Sequence, residues 1–188
     1  MKKGSTILIV IAVIVIGLIM MVVSKHNDLV RKREDVTKQM SNIDTYLQRR
    51  MDLIPNLVET VKGYMAHETE VIDKITSARA ALAGAQTAEE KSEANNALTS
   101  AIKGLYVVVE NYPDLKANEN FKALQDELAG TENRIATARK DYNDSVTIYN
   151  TSVKVFPGSI IAGMFGFTEA EYFEAQAGAE EVPSVSFN

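Results

Sequence analysis

Residues 40–82 read MSNIDTYLQRRMDLIPNLVETVKGYMAHETEVIDKITSARAAL, and the period of this stretch decides the fold. Met40, Ile43, Leu47, Arg50, Ile54, Leu57, Val61, Tyr64, Glu68, Val71, Ile75, Ala78 and Leu82 follow one another at alternating steps of three and four. A 3.5-residue apolar period sustained for about six heptads predicts a long helix packed in coiled-coil fashion. Only Arg50 and Glu68 are out of character on that stripe. Pro55 lies inside it. Proline removes one helical hydrogen bond and clashes with the carbonyl four residues back, so a kink is expected there. The apolar phase runs through Pro55 without a slip, and no Gly or Asn-Gly turn flanks it. A kinked but continuous first helix ending at Gly84 is therefore expected.

Downstream, Thr87 and Glu90 form a capping box for a second helix. Its stripe is Leu98, Ile102, Leu105, Val109 and Tyr112, and Pro113 stops it. A third helix begins near Asn118 with the stripe Phe121, Leu124, Leu128, Thr131, Ile135, Ala138, Tyr142, Ser145, Tyr149, Val153 and Phe156. Pro157-Gly158 ends it. An apolar loop over residues 160–167 follows. Thr168 and Glu171 then predict a second capping box, opening a short fourth helix that ends at Gly178. Residues 179–188 read as a flexible tail.

Upstream, residues 4–24 carry no charge, and residues 7–23 are almost wholly Ile, Val, Leu, Met, Ala and Gly. At 1.5 Å per residue such a helix spans roughly 30 Å, the thickness of a bilayer's hydrocarbon core. Backbone amides in lipid must be satisfied within the segment, which a helix does. The rival is a cleavable secretory signal behind Met1, Lys2 and Lys3. This run exceeds the usual apolar length of about 7–15 residues and ends without an A-x-A-like site. An uncleaved anchor is expected, with the mature chain beginning at or near Met1. The absence of Cys excludes a lipoprotein. The domains are thus a transmembrane anchor over residues 1–24, a helical bundle over 25–178 and the tail over 179–188. The fold class is all-α, a membrane helix followed by an antiparallel bundle.

Composition narrows the chemistry. The 188 residues carry a net charge of −5, which argues against a nucleic-acid binder that neutralises phosphates. Zero Cys removes disulfides, zinc–thiolate sites, iron–sulfur clusters and thiol catalysis together.

Several long blocks carry a family resemblance. They are RRMDLIPNLVETVKGYMAHE (residues 49–68), ENYPDLKANENF (110–121) and GTENRIATARKDYNDSV (130–146). YNT (149–151), FPGSIIA (156–162) and FGF (165–167) follow in order. In series these blocks resemble the LemA family over essentially the whole chain, anchor included. The departures are small: Met51 and Met65 stand where Ala or Tyr would be unsurprising. The resemblance implies a bacterial membrane protein with one N-terminal span and an antiparallel helical bundle. It supplies no catalytic residues. Family members occur beside membrane metallopeptidases, and one relative takes part in building magnetosome membranes, which implies scaffold or adaptor work at a membrane.

Candidate chemistry is sparse. His67-Glu68 resembles half of a zinc-binding H-E-x-x-H, but the fourth position after His67 is Val71, and the other histidine is His26 beside the anchor. A catalytic zinc site takes three protein ligands, so no metal, cofactor or catalytic residue is assigned. Two histidines about forty residues apart on one long helix lie too far from each other to serve a common serine. Arg50 and Glu68 sit on the apolar stripe, where a charge is expensive unless paired. Glu110, Glu119, Glu127, Glu132, Arg134 and Arg139 are the candidate partners, and interhelical ion pairs fixing the register are expected over a polar patch for a partner. Tyr142-Asn143 and Tyr149-Asn150 repeat at a seven-residue spacing on one helical face. Tyrosines with hydroxyls bonded across the bundle are expected there rather than a cofactor box. The uncharged stretch 160–167 is expected to plug the end of the bundle, with a partner or membrane contact as the alternative.

The functional expectation is a non-enzymatic, self-associating, membrane-anchored scaffold or adaptor, with a regulatory subunit of a membrane-bound protease complex as the alternative. Self-association follows from lengths. Continuous helices over 30–83, 88–111 and 118–156 would measure roughly 80, 36 and 58 Å, leaving Met40, Ile43 and Leu47 without an intrachain partner. Neighbouring chains would then cover that seam, with the spans packed through Gly17. A true turn at Pro55 would remove the mismatch. The partners expected are thus the bilayer, copies of the same chain and a membrane metallopeptidase, with no nucleic acid. Lys25, Arg31, Lys32, Arg33 and Lys38 outnumber Lys2 and Lys3 across the span. That excess predicts a bundle on the cytoplasmic side, and the resemblance implies a single-pass protein of the bacterial inner membrane.

Overall fold

The structure, a computed structural model, describes residues 3–65 and 68–173, with side chains from residue 7 onward. Among them are six helices: α1 (Lys3–Lys62), α2 (Thr69–Gly84), α3 (Ala88–Val109), α4 (Pro113–Ala117), α5 (Glu119–Lys154) and α6 (Gly158–Phe165). The all-α class and the helical bundle expected from the sequence stand. The chain divides into two compact units, Met1–Gln39 with Tyr142–Ala170, and Met40–Asp141 with Glu171–Asn188.

In the second unit, the later part of α1, then α2, α3 and the first part of α5 form an antiparallel four-helix bundle. Short connections make consecutive helices neighbours. Arg79 Nε donates to the Met51 carbonyl at 2.9 Å, tying α2 back along α1. The Tyr106 and Phe121 rings meet edge to face at 6.3 Å, pairing α3 with α5. The apolar stripe of α1 is buried at Ile43, Leu47, Ile54, Leu57 and Val61, joined by Leu53 and Val58.

The first helix does not run to Gly84. It passes through Pro55 and stops at Lys62, and α2 starts at Thr69. The turn is made where Tyr64 and Met65 both donate to the Val61 carbonyl, at 2.9 Å each. Gly63 helps to end the helix, because glycine is costly in a helix interior by roughly 1 kcal/mol. The heptad phase hid this turn because it continues on both sides of it. The side chain that fills the corner is Met65, 1% exposed and off the stripe, whereas Tyr64 on the stripe is 43% exposed. With α1 folded back here, Ile43 and Leu47 are 0 and 3% exposed inside the chain's own bundle. The expectation that neighbouring chains must cover them is overturned.

Other boundaries follow the local signals. Thr87 accepts from the Glu90 amide while the Glu90 carboxylate accepts from the Thr87 amide, completing the predicted capping box of α3. The Gln86 and Thr87 amides, both donating to it, hold the Glu90 carboxyl below the usual range. Pro113 occupies the first turn of α4, where its missing N–H costs nothing. Asn118 caps α5 by accepting from the Phe121 amide at 3.0 Å.

The first unit joins the opening part of α1 to the end of α5 and to α6. Leu29, Ile161 and Ala162 form its buried cluster, with Val22, Val153 and Phe167 packed around them. Where a loop over residues 160–167 was expected, the chain forms the helix α6 over Gly158–Phe165. Proline at its N-terminal cap and Gly166 at φ 74° after it punctuate the segment as a helix. Thr168 and Glu171 open no helix over residues 168–173, which run without regular structure. The rest of that expected helix, and the tail over 179–188, lie outside the described residues. Phe156, placed at the end of the α5 stripe, is 79% exposed, because α5 stops at Lys154. Gly158 is buried so tightly that a Cβ there would run into the Ser152 carbonyl oxygen. Gly158→Ala is therefore expected to cost about 1–3 kcal/mol. It should also raise amide hydrogen exchange across α6; unchanged exchange and melting would show that the corner yields freely.

Candidate functional site

The charge on the apolar stripe of α1 has an interhelical solution. Arg50 is 3% exposed, and its Nη1 donates to Asn95 Oδ1 on α3 at 2.5 Å. The same nitrogen lies 2.5 Å from Glu132 Oε2 on α5 in an ion pair too poorly aligned to count as a hydrogen bond. Burial pushes the Arg50 guanidinium below its ordinary value, opposed by Glu132 and Tyr106. Burial raises the Tyr106 hydroxyl, against the pull of Arg50. Ser92, Asn95 and Thr131 are buried polar neighbours in this unit. Among the described residues, Arg50 Nε and Asn95 Nδ2 find no hydrogen-bond partner. Arg50 and Glu132 are thus brought together as expected, and the pair ties α1 to α5 while Asn95 ties in α3.

Glu68, the other charge on the stripe, is not in a seam. It lies in the turn before α2, where its Oε1 accepts from the Tyr112 hydroxyl at 3.1 Å. That bond raises the Tyr112 hydroxyl. Glu110 pairs instead with Lys116, and Glu127 with Arg49, at 2.6 and 2.8 Å. Lys91 pairs with Asp44 at 2.6 Å, bridging α3 and α1. Arg139 lies over the ring of Phe173 at 4.8 Å, covering an aromatic that is 1% exposed. Phe173 escaped the sequence reading because it was placed on an expected helix.

The tyrosine–asparagine repeat has a structural role. Tyr149 donates to the Thr168 carbonyl at 2.8 Å. Asn150 makes two bonds to the Ala170 backbone, donating to its carbonyl at 2.9 Å and accepting from its amide at 2.8 Å. Together they tie Thr168 and Ala170, after α6, to α5. His26 stacks edge to face with Phe165 at 4.6 Å and with Phe167 at 5.6 Å. His67 lies outside the described residues. Among the described residues no cluster of three or more His, Asp or Glu side chains is gathered to hold a metal ion.

A groove of about 1010 Å³ opens between α2 and α3. Ala78, Ala81, Ala97, Ala101 and Gly104 give part of it short walls, and the charged Glu70, Asp73 and Lys74 line it toward the start of α2. A Cβ added at Gly104 would meet open space. Sequence reasoning missed this face, although the Ala-rich run of residues 78–85 carries the signal. Side chains this short leave two helices unable to fill the space over their own seam.

Comparison with known proteins agrees with this architecture. A sequence profile, that of the LemA family, matches residues 39–187. The magnetosome protein MamQ 2 of Paramagnetospirillum magneticum is 28% identical over 194 residues, covering 89% of this chain and 71% of its own. The magnetosome protein MamQ of Magnetospirillum gryphiswaldense is 23% identical, covering 79% of this chain and 64% of its own. Protein LemA of Metamycoplasma hominis is 25% identical, covering 81% and 70%. With the profile spanning most of the chain and the bundle built as those blocks imply, the chain belongs to the LemA family.

Proposed function

We propose that this protein is a non-enzymatic, self-associating scaffold or adaptor anchored in a membrane by the start of α1. The observation that carries this reading is the groove between α2 and α3. The buried Arg50 is spent on internal partners, and the groove offers short side chains at Ala81, Ala97 and Ala101 on which a helix from another copy can lie closely. The relatives named as magnetosome proteins fit a structural role. Chemical crosslinking of the full chain in lipid nanodiscs, read by mass, tests it. Multimers are expected, and Ala81→Glu with Ala97→Glu, both at exposed positions, should reduce them to monomers. A monomeric wild type, or multimers that survive the double change, would overturn self-association. Stoichiometric recovery of a peptidase from cells would move the reading to a protease subunit.

The anchor part of the proposal rests on the apolar start of α1, which is long enough to cross a membrane and is exposed along residues 7–21. Ile14→Arg at mid-span is expected to cost about 2.5–3.5 kcal/mol of insertion free energy and to shift the chain toward the soluble fraction. Retention of the variant in the membrane pellet after carbonate washing would count against a span. The bundle is proposed to lie on the cytoplasmic side of the inner membrane, from the excess of basic residues that follow the span. Labelling of Thr37→Cys by an impermeant thiol reagent in cells with a permeabilised outer barrier would reverse that orientation.

A further inference from the structure

The unit built from Met1–Gln39 and Tyr142–Ala170 leaves a second apolar face uncovered. Residues 155–167 read VFPGSIIAGMFGF and contain no charge. One side of α6 is spent on the core: Ile161 and Ala162 are buried against Leu29. The other side is not. Ile160, Met164 and Phe165 are more than half exposed, as are Val155 and Phe156 at the corner before the helix. A soluble surface rarely gathers five large apolar side chains within so short a stretch unless something covers them.

The position of α6 along α1 says what covers them. Its buried side packs with Val22 and Leu29 of α1, and its Phe165 ring stacks on His26 between them. The uncharged stretch of α1 ends at Ser24, and charge begins at Lys25. Thus α6 lies against the two helical turns in which the anchor leaves the hydrocarbon. Val22 to Leu29 is about 10 Å of helix rise. The headgroup layer outside each face of the hydrocarbon is about 5–7 Å thick. The apolar side chains of α1 just upstream, such as Ile16, Ile19, Met20 and Val23, are exposed as well. Lys25, Arg31, Lys32 and Arg33 follow on α1, where cations meet anionic headgroups favourably.

We propose that α6, with the corner at Val155 and Phe156, is an interfacial helix that seats its exposed apolar face in the headgroup–acyl boundary of the bilayer, with phospholipid as its occupant. This rests on the anchor reading of α1. An apolar face laid in that boundary gains the burial that water denies it. Because α6 is clamped to α1 by its other face, it restricts how far the anchor can tilt or rotate, so the fold holds the membrane at two points instead of one.

The chain has no native cysteine, so single cysteines report cleanly. Nitroxide labels at Ile14→Cys, Ile160→Cys, Met164→Cys and Thr37→Cys of the full chain, in nanodiscs of phosphatidylethanolamine and phosphatidylglycerol, would be read by collision with oxygen against a water-soluble nickel chelate. Position 14 is expected deep in lipid and position 37 in water. Positions 160 and 164 should sit at shallow depth, with an oxygen-to-nickel ratio severalfold above that at 37. Water-like labels at 160 and 164 with position 14 in lipid would overturn the interfacial helix and leave the anchor standing. A water-like label at 14 would overturn the anchor and the interfacial helix with it. Labels at 160 and 164 shielded from both reagents would identify a protein as the occupant and overturn the assignment to lipid.

Discussion

Changing Ile43 and Leu47 together to aspartate is expected to abolish folding of the four-helix unit. Both side chains are buried within the chain's own bundle, at 0 and 3% exposure. Truncating a buried Ile or Leu costs about 2–5 kcal/mol through lost transfer energy and the cavity left behind. An aspartate adds a carboxyl that must be desolvated or neutralised at the site. Two such changes sum to about 8 kcal/mol or more, as large as the whole stability of an ordinary domain at about 5–15 kcal/mol. Far-ultraviolet circular dichroism and limited proteolysis of the full chain in detergent should show lost helicity and rapid cleavage between residues 40 and 141. A variant that keeps a cooperative melt and loses only its multimers would restore the reading of this stripe as a contact between chains.

That contrast shows how far the sequence could be read. The helices, the capping box at Thr87 and Glu90 and the buried stripes of α1, α3 and α5 were legible because period and caps are local properties. The break between α1 and α2 was not. An unbroken 3.5-residue pattern looks the same whether one helix carries it or two antiparallel helices carry its halves. The signals against continuity were Gly63 and two consecutive stripe positions, Tyr64 and Glu68, with polar groups. Helix α6 was misread for a related reason. Eight uncharged residues containing two glycines look like loop, and only packing against Leu29 makes the segment worth ordering as a helix. The Arg50 pair was legible in kind, as a charge on an apolar stripe needing a partner. Glu132 could not be singled out from the four candidate carboxylates, because register across the bundle depends on the turn that the pattern concealed. The groove between α2 and α3 needed the structure too. Alanines favour a helix wherever they stand, and only the geometry of the pair shows which of them face open space.

The polar layer at Arg50 yields the second large effect, and its size depends on which partner is removed. Glu132→Ala leaves a guanidinium that is 3% exposed with the Asn95 carbonyl as its remaining acceptor. Stranding a buried charge costs about 3–5 kcal/mol. The Glu132 side chain is 35% exposed, so solvent already screens part of the pair and the expected cost falls to about 2–4 kcal/mol. Arg50→Met is expected to cost less, about 1–3 kcal/mol. Glu132 can then turn to water, and the orphaned group is the neutral amide of Asn95. Adding Asn95→Leu to Arg50→Met should recover most of that loss. The double variant removes Arg50 Nε and Asn95 Nδ2, which already lack partners, and fills the layer with apolar volume. The expected order of urea midpoints is therefore Glu132→Ala lowest, Arg50→Met next, and the double variant nearest to wild type. If the double variant is the least stable of the three, the layer is a net source of stability and not a device for register. If it is stable but the bundle loses its cooperative melt, the Arg50–Asn95–Glu132 layer is what selects one packing of α1, α3 and α5 over its competitors.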